Sequence, residues 1–240
     1  MAADAGCERR RLVRAAIREI PDWPKPGIMF QVRGQRPGPP PSSPSPAPPS
    51  PGTLPQALAL SGPSASLGWA ATDLAHSGDV WGWVGQDITT VLLDPVAFKA
   101  CIDLLAERYA GKGITKVAGF DARGLIFGAP LALALGCGFV PLRKPKKLPG
   151  ETIGEEYTLE YGTDRIEMHV GHVGEQDKVL LVDDLIATGG TMGAGVRLMK
   201  RVGATIVECA VIIELPGLGG RKKKEFEGIP VHTLLEIDVL

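Results

Sequence analysis

Cysteine is scarce in this 240-residue chain: Cys7, Cys101, Cys137 and Cys209 are widely spaced. No two of them stand at metal-ligand spacing, so neither a disulfide frame nor a zinc knot is expected. They read as reduced thiols of a cytoplasmic protein. Long apolar runs are missing too, which excludes a membrane-spanning helix, and the N-terminus has no signal-peptide pattern. An excess of one charge is also absent. With 26 Lys and Arg against 27 Asp and Glu, the net charge is -1 and gives no general attraction to nucleic acid. What remains, at 44% hydrophobic residues, suits one soluble α/β domain with a proper core.

One stretch lacks charge far more severely. Residues 32 to 86 contain only four charged side chains, Arg33, Arg36, Asp73 and Asp79, yet hold 11 of the 21 prolines and three of the four tryptophans. Residues 37 to 55 are a Pro/Ser tract that builds neither helix nor sheet, so polyproline-like or disordered chain is expected there. The part with Trp69, Trp81 and Trp83 is apolar without a clear period. The segment therefore reads as an insert, and residues 1–31 with 87–240 as a single domain.

The most informative stretch is Lys178 to Met192. Val179 to Val182 is a short, largely β-branched run, the pattern of a parallel strand covered on both faces. Asp183 and Asp184 follow where such a strand should end, and two carboxylates there must face solvent, a metal or ligand hydroxyls. Gly189 and Gly190 let the backbone take positive φ and approach a ligand closely. Apolar residues at helical spacing resume from Gly193 to Val202, so a helix points its free amides back at the loop. Together these parts make a site for a phosphorylated sugar. Amides and hydroxyls of Ala187, Thr188, Gly189, Gly190 and Thr191 hold phosphate, while Asp183 and Asp184 hold ribose hydroxyls, directly or through Mg²⁺. Each charge-assisted hydrogen bond contributes roughly 1.5–3 kcal/mol, so four or five could give micromolar binding after association costs.

The rest of the chain alternates strands and helices in the order of a doubly wound sheet. Residues 4 to 20 read as an amphipathic helix, with Leu12, Val13, Ala16, Ile17 and Ile20 on one side, ended by the prolines at 21 to 26. Ile28 to Phe30 starts a short strand. Asp94-Pro95 caps a helix through Tyr109, with Val96, Phe98, Ile102, Leu104 and Leu105 as its apolar residues. Val117 to Phe120 is a strand, followed by Asp121-Ala122-Arg123-Gly124 and a helix over about 125–135. Phe139 to Arg143 is another strand and opens onto Lys144-Pro145-Lys146-Lys147. That basic run could mark nucleic acid or a nuclear signal, but its place after a strand favours an anion site at the same sheet edge as Arg123 and Asp183. Gly150 to Val170 suggests a hairpin or arm able to close over substrate. Taken alone, Glu160 is an ordinary solvated acid, and His169 and His172 are surface histidines. Thr205 to Glu214 and Val231 to Ile237 are strands, and Arg221 to Lys224 between them reads as a solvated helix end.

The run Val182-Asp183-Asp184-Leu185-Ile186-Ala187-Thr188-Gly189-Gly190-Thr191 closely resembles the motif with which type I phosphoribosyltransferases bind 5-phosphoribosyl 1-pyrophosphate (PRPP). Tyr157-Thr158-Leu159-Glu160-Tyr161-Gly162 and Pro26-Gly27-Ile28-Met29-Phe30 are similar to the adenine phosphoribosyltransferases in particular. The resemblance covers most of residues 10–31 and 87–238. It implies a mostly parallel twisted sheet flanked by helices, a small N-terminal hood and a flexible catalytic hairpin. It also implies AMP and pyrophosphate made from adenine and PRPP, as in purine salvage, with Mg²⁺ held mainly through PRPP near Asp183 and Asp184, and a cytoplasmic homodimer. By the same resemblance Arg123, Arg143, Lys144 and Lys147 contact pyrophosphate. Glu160 and Tyr161, with Arg123, serve catalysis, and Met29, Phe30 and Gln31 bind adenine, with the Phe30 ring stacked on the base.

Joining Gln31 to Asp87 restores an uninterrupted motif of this family. The segment between is a whole number of codons opening on valine, whose codons begin GT, and is flanked by glutamines that permit CAG. It reads as a translated retained intron; the competing reading is a Pro-rich arm that binds partners. Because the segment interrupts the base-binding hood, a catalytically weak isoform or a PRPP-binding regulatory protein is the alternative to an enzyme.

Overall fold

The computed structural model describes residues 2–21, 84–159 and 162–237. Helix α1 spans Ala2–Ala16 and buries Val13, while Leu12 stays 42% exposed. It is shorter than the apolar spacing predicts, because Arg18–Pro21 is strand β1, paired antiparallel with β2, Val84–Asp87. Val84 to Gln86 thus belong to an element, and the compositional boundary at Gln86 falls inside a strand rather than at its edge. The strand expected at Ile28 to Phe30 lies outside the described residues.

A short helix that periodicity missed, α2 (Thr89–Leu93), leads into α3 (Pro95–Tyr109). Asp94 caps α3 as expected: its side chain accepts from the amides of Val96 and Ala97, and Pro95 at the first position sacrifices no hydrogen bond. Val96, expected in the core, is 60% exposed; Ala97, Ala100 and Cys101 take the buried face instead. Then come β3 (Lys116–Phe120), α4 (Arg123–Leu135) and β4 (Gly138–Leu142). The hairpin β5 (Thr152–Leu159) and β6 (Gly162–His169) follows, then β7 (Lys178–Ile186), α5 (Gly190–Arg201), β8 (Thr205–Glu214) and β9 (Val231–Glu236).

The main sheet is five-stranded and parallel, in the order β4-β3-β7-β8-β9. Alternation along β7 explains its continuous apolar run. Leu180 and Val182 join the core under α3 and α4, whereas Val179 and Leu181 join a second core with α5 and the hairpin. The hairpin contributes Tyr157, Ile166 and Met168 to that second core, so its base is docked on α5 rather than standing free as an arm. Arg201 donates to Gly154 O at 3.0 Å and Arg197 to Glu156 O at 2.7 Å, tying β5 to α5. His169 and His172, expected on the surface, lie with ring centroids 4.6 Å apart, and His169 Nε2 is 2.9 Å from Pro149 O.

Behind the sheet, Glu208 is 3% exposed and accepts from Arg108 at 2.5 Å and Lys112 at 3.2 Å. Burial, and then the positive charge of Arg108, lower the neighbouring His232 from its ordinary 6.5 to about 4. The fold therefore favours neutral His232, and the unfolded chain takes up the proton first as pH falls. Stability tied to this residue is present above about 6.5 and is lost as pH drops toward about 4. We expect His232→Gln to flatten the fall in Tm across that window by the equivalent of ~1 kcal/mol, discounted for partial exposure. Parallel melting curves of both proteins check it; identical pH profiles would contradict it.

Candidate active site

The chain crosses from β3 to β4, then returns to the other side of β3 as β7. The gap between β3 and β7 is therefore a topological switch point, where doubly wound sheets open a crevice. The β3–β7 pairing stops at Gly119 and Val182, while β7 continues to Ile186 beside β8 alone. Asp183 and Asp184 consequently lie within a strand, not after it, but in the notch that β3 vacates.

Helix α4 begins against that notch. A Cβ on Gly124 would lie 2.6 Å from Val182 O and 3.0 Å from an Asp183 oxygen, so only glycine permits this approach. Arg123, the first residue of α4, donates from Nε to Asp184 Oδ2. The Asp121–Ala122 peptide just before it is cis. Asp184 is 5% exposed, and its amide donates to Asp183 Oδ1 at 2.9 Å. Burial, followed by the adjacent Asp184 charge, raises Asp183 well above the ordinary carboxylate range. Burial works against the Arg123 charge, but Asp184, Asp183 and Asp87 outweigh it and keep the guanidinium protonated. Asp184 is thus the ion-pair partner that faces Arg123, and Asp183 is the carboxyl whose ionisation burial opposes.

The phosphate loop leaves β7 at Ile186 and turns at Gly189, whose φ is +74°. Helix α5 then starts at Gly190, so the amides of Gly190, Thr191 and Met192 have no partner within the helix. The loop is supported from beneath by a segment read from sequence as solvated. Cβ atoms on Gly189 and Gly220 would lie 2.5 Å from Gly220 O and 2.2 Å from Ala187 O, so two backbones touch there. Buried Glu214, 3% exposed, accepts twice from Arg221 and anchors that support. Arg221 and Lys222 lie in a short, exposed 3-10 helix, as the solvated-end reading expects, but Arg221 also pairs with a buried carboxylate. The signal was a carboxylate closing a strand whose last seven residues are all buried, a place where a partner is obligatory.

The basic run sits across the notch. Arg143 Nε donates to Asp121 at 3.0 Å, and Lys144 Nζ donates to Asp164 at 2.7 Å. Arg143 also exchanges backbone hydrogen bonds with Glu167, which fixes the hairpin base to the end of β4. Lys147 is exposed and gives its carbonyl to Arg143 Nη1 at 3.4 Å. Asp87 near Arg123, and Asp121, Tyr157 and Asp164, are site neighbours that sequence reasoning did not single out. The expected catalytic Glu160 and Tyr161 and the adenine-binding Met29, Phe30 and Gln31 lie outside the described residues.

Known proteins are similar to this chain in sequence and in fold. The phosphoribosyl transferase domain family matches residues 89–234. An adenine phosphoribosyltransferase 1 from Triticum aestivum is 47% identical over 238 residues, covering 99% of this chain and 98% of the relative. The crystal structure of adenine phosphoribosyltransferase from Rhodothermus marinus superposes with a TM-score of 0.67 at 36% identity, covering 96% of this chain and 99% of that one. A Trypanosoma brucei adenine phosphoribosyltransferase, solved with AMP, pyrophosphate and ribose-5-phosphate, superposes with a TM-score of 0.59 at 34% identity, covering 66% and 71%. None of these relatives supports the inactive-isoform reading. A switch-point crevice with an acidic pair on one side, a helix N-terminus on another and cations opposite, in a chain so close to these relatives, has one reading: the chain belongs to the adenine phosphoribosyltransferases of the phosphoribosyltransferase family.

Proposed function

We propose that this chain joins N9 of adenine to C1′ of PRPP, forming AMP as the bond from C1′ to the pyrophosphate oxygen breaks. The observation that carries the reading is the meeting, at one switch point, of the Asp183–Asp184 pair, the α5 N-terminus and the Arg123, Arg143 and Lys144 cations. Each answers one part of PRPP. The 5′-phosphate takes the amides and hydroxyls of residues 187–191, and the ribose hydroxyls take the acidic pair. Departing pyrophosphate gains negative charge, which the cations offset in place before the reaction begins.

Among the described residues the acidic pair fits ribose hydroxyls better than a directly held metal. Asp184 is paired with Arg123, and burial opposes ionisation of Asp183. Mg²⁺ would be held mainly through PRPP, near Asp183 and Asp184, and would offset pyrophosphate charge there. Positive character grows on the ribose as the C1′ bond breaks, and the anionic Asp184 favours it. By the family resemblance Glu160, with Tyr161, takes the proton that adenine gives up, and Met29, Phe30 and Gln31 bind the base, with the Phe30 ring supplying stacking.

The exposed apolar side chains Leu93 (82%), Val96 (60%) and Leu133 (84%) on α2 to α4 favour pairing of two copies, and the free thiols suit a cytoplasmic enzyme. The segment 32–86 lengthens one connection at a cost of only about 2 kcal/mol of closure entropy, so the sheet tolerates it. AMP formation from adenine and PRPP, measured on this chain and on one with Gln31 joined to Asp87, tests the reading. Activity in both is expected; inactivity in both would reject it. Within the same assay Glu160→Ala should lower kcat by about 100-fold while PRPP affinity changes little. Equal losses of the two would remove Glu160 from the proton-transfer role.

A further inference from the structure

Each of Arg123, Arg143 and Lys144 is already held by a carboxylate of this chain: Asp184, Asp121 and Asp164, respectively. Asp184 lies within β7 and Asp121 in the turn just after β3, whereas Asp164 lies on β6 of the hairpin. The two oxygens of Asp164 are used differently. Oδ1 accepts from the Arg165 amide at 2.8 Å, while Oδ2 accepts from Lys144 at 2.7 Å and from the Tyr157 hydroxyl at 3.0 Å. Tyr157 faces Asp164 directly across the β5–β6 register, is 7% exposed, and lies near enough to Thr191 for that side chain to affect its titration. A chain of hydrogen bonds thus runs from Lys144 through Asp164 to Tyr157, on the side of the hairpin near Thr191.

Burial pushes the Asp164 carboxyl up, but hydrogen bonds from Lys144, the Arg165 amide and Tyr157 prevail and hold it below the ordinary range. It is therefore an anion at neutral pH. Burial, with the nearby Asp164 charge, pushes Tyr157 up to about 12 against the Thr191 contact, so the phenol stays a donor.

We propose that Asp164 is a positioning residue that competes with pyrophosphate for Lys144, weakening the grip on pyrophosphate and speeding its release. The proposal rests on the phosphoribosyl-transfer reading above. An arriving polyanion draws the Lys144 ammonium toward itself, and when it leaves the lysine returns to the hairpin. Lys144 is 44% exposed, so the exchange buries no new charge. Asp164 keeps the Arg165 amide and the Tyr157 hydroxyl throughout, so losing the lysine leaves no oxygen unpaired. Its negative charge beside the site repels pyrophosphate in either state. Because Asp184 lies in β7 and Asp121 directly follows β3, the Lys144–Asp164 exchange is the one that links pyrophosphate to the hairpin.

Calorimetric titration of inorganic pyrophosphate with Mg²⁺ into the full chain, at fixed pH and ionic strength, tests the proposal. Asp164→Asn is expected to bind pyrophosphate roughly three- to tenfold tighter and to suffer stronger product inhibition, with KM for adenine unchanged. Asp164→Glu should restore the original affinity. Damage to the hairpin can only weaken binding, so a tighter complex is a readout that a structural role does not produce. Equal or weaker pyrophosphate binding by Asp164→Asn, in a parent chain that binds it, overturns the role of Asp164 alone. Absence of pyrophosphate binding by the parent chain overturns the phosphoribosyl-transfer reading and this proposal with it.

Discussion

Gly189→Ala is expected to abolish measurable PRPP binding, with a loss of at least about 100-fold and a lower Tm. Two independent costs meet at this residue. A φ of +74° disfavours any side chain, by roughly 1–2 kcal/mol. The new methyl would also lie 2.5 Å from Gly220 O, so the loop or its support must move. Movement there displaces the amides of Gly190 and Thr191, whose alignment is the phosphate site itself. Gly220→Ala meets Ala187 O at 2.2 Å from the other side and should lose PRPP as well. Gly171→Ala is the control: its φ is +77°, but nothing lies within 4 Å of the added carbon. That variant should cost only about 1 kcal/mol of stability and retain activity. Fluorescence or calorimetric titration of PRPP, beside thermal melts, checks all three. Ordinary PRPP affinity in Gly189→Ala would show that the loop does not hold the phosphate.

The acidic pair gives the second large effect, and its two members should behave differently although they are neighbours of the same type. Asp184→Asn removes the charge that faces Arg123 and leaves a half-exposed guanidinium beside a buried neutral amide. Solvent screening of Arg123 limits the cost to about 1–2 kcal/mol of stability, and kcat/KM for PRPP should fall by about 100-fold. Asp183→Asn replaces a carboxyl whose ionisation burial already opposes. It should destabilise the fold less than Asp184→Asn does, while PRPP binding weakens through the altered ribose contacts. Urea unfolding of both variants separates the cases. Equal destabilisation of the two would contradict the difference in their surroundings.

That these two carboxylates stand where an apolar strand gives way to a glycine-rich loop is legible in the amino-acid sequence. The apolar run, Asp-Asp, two threonines and two glycines follow one another directly, and a generic turn needs neither two threonines nor two aspartates. Capping chemistry likewise locates α3 through Asp94 and Pro95, and the short apolar runs locate β3, β4, β7 and β8. Periodicity fails where an element is too short to show a period. Helix α2 has five residues and escapes it, and α1 is carried too far because Ile17 and Ile20 continue its apolar spacing into β1.

Partnership across the chain is not legible at all. Asp121 and Asp164 look like ordinary loop and strand acids until the fold brings them to Arg143 and Lys144, 22 and 20 residues away. Glu214 and Arg221 look like a strand end and a solvated basic run, yet their pairing supports the phosphate loop. By itself the sequence determined the strand-and-helix order, the glycine loop, the acidic pair and the family, since these rest on local residue chemistry and spacing. Only the tertiary structure decided which carboxylate holds which cation, and that Asp183 and Asp184 differ in surroundings. Burial and the distance between side chains remote in sequence set those properties, and both exist only once the chain has folded.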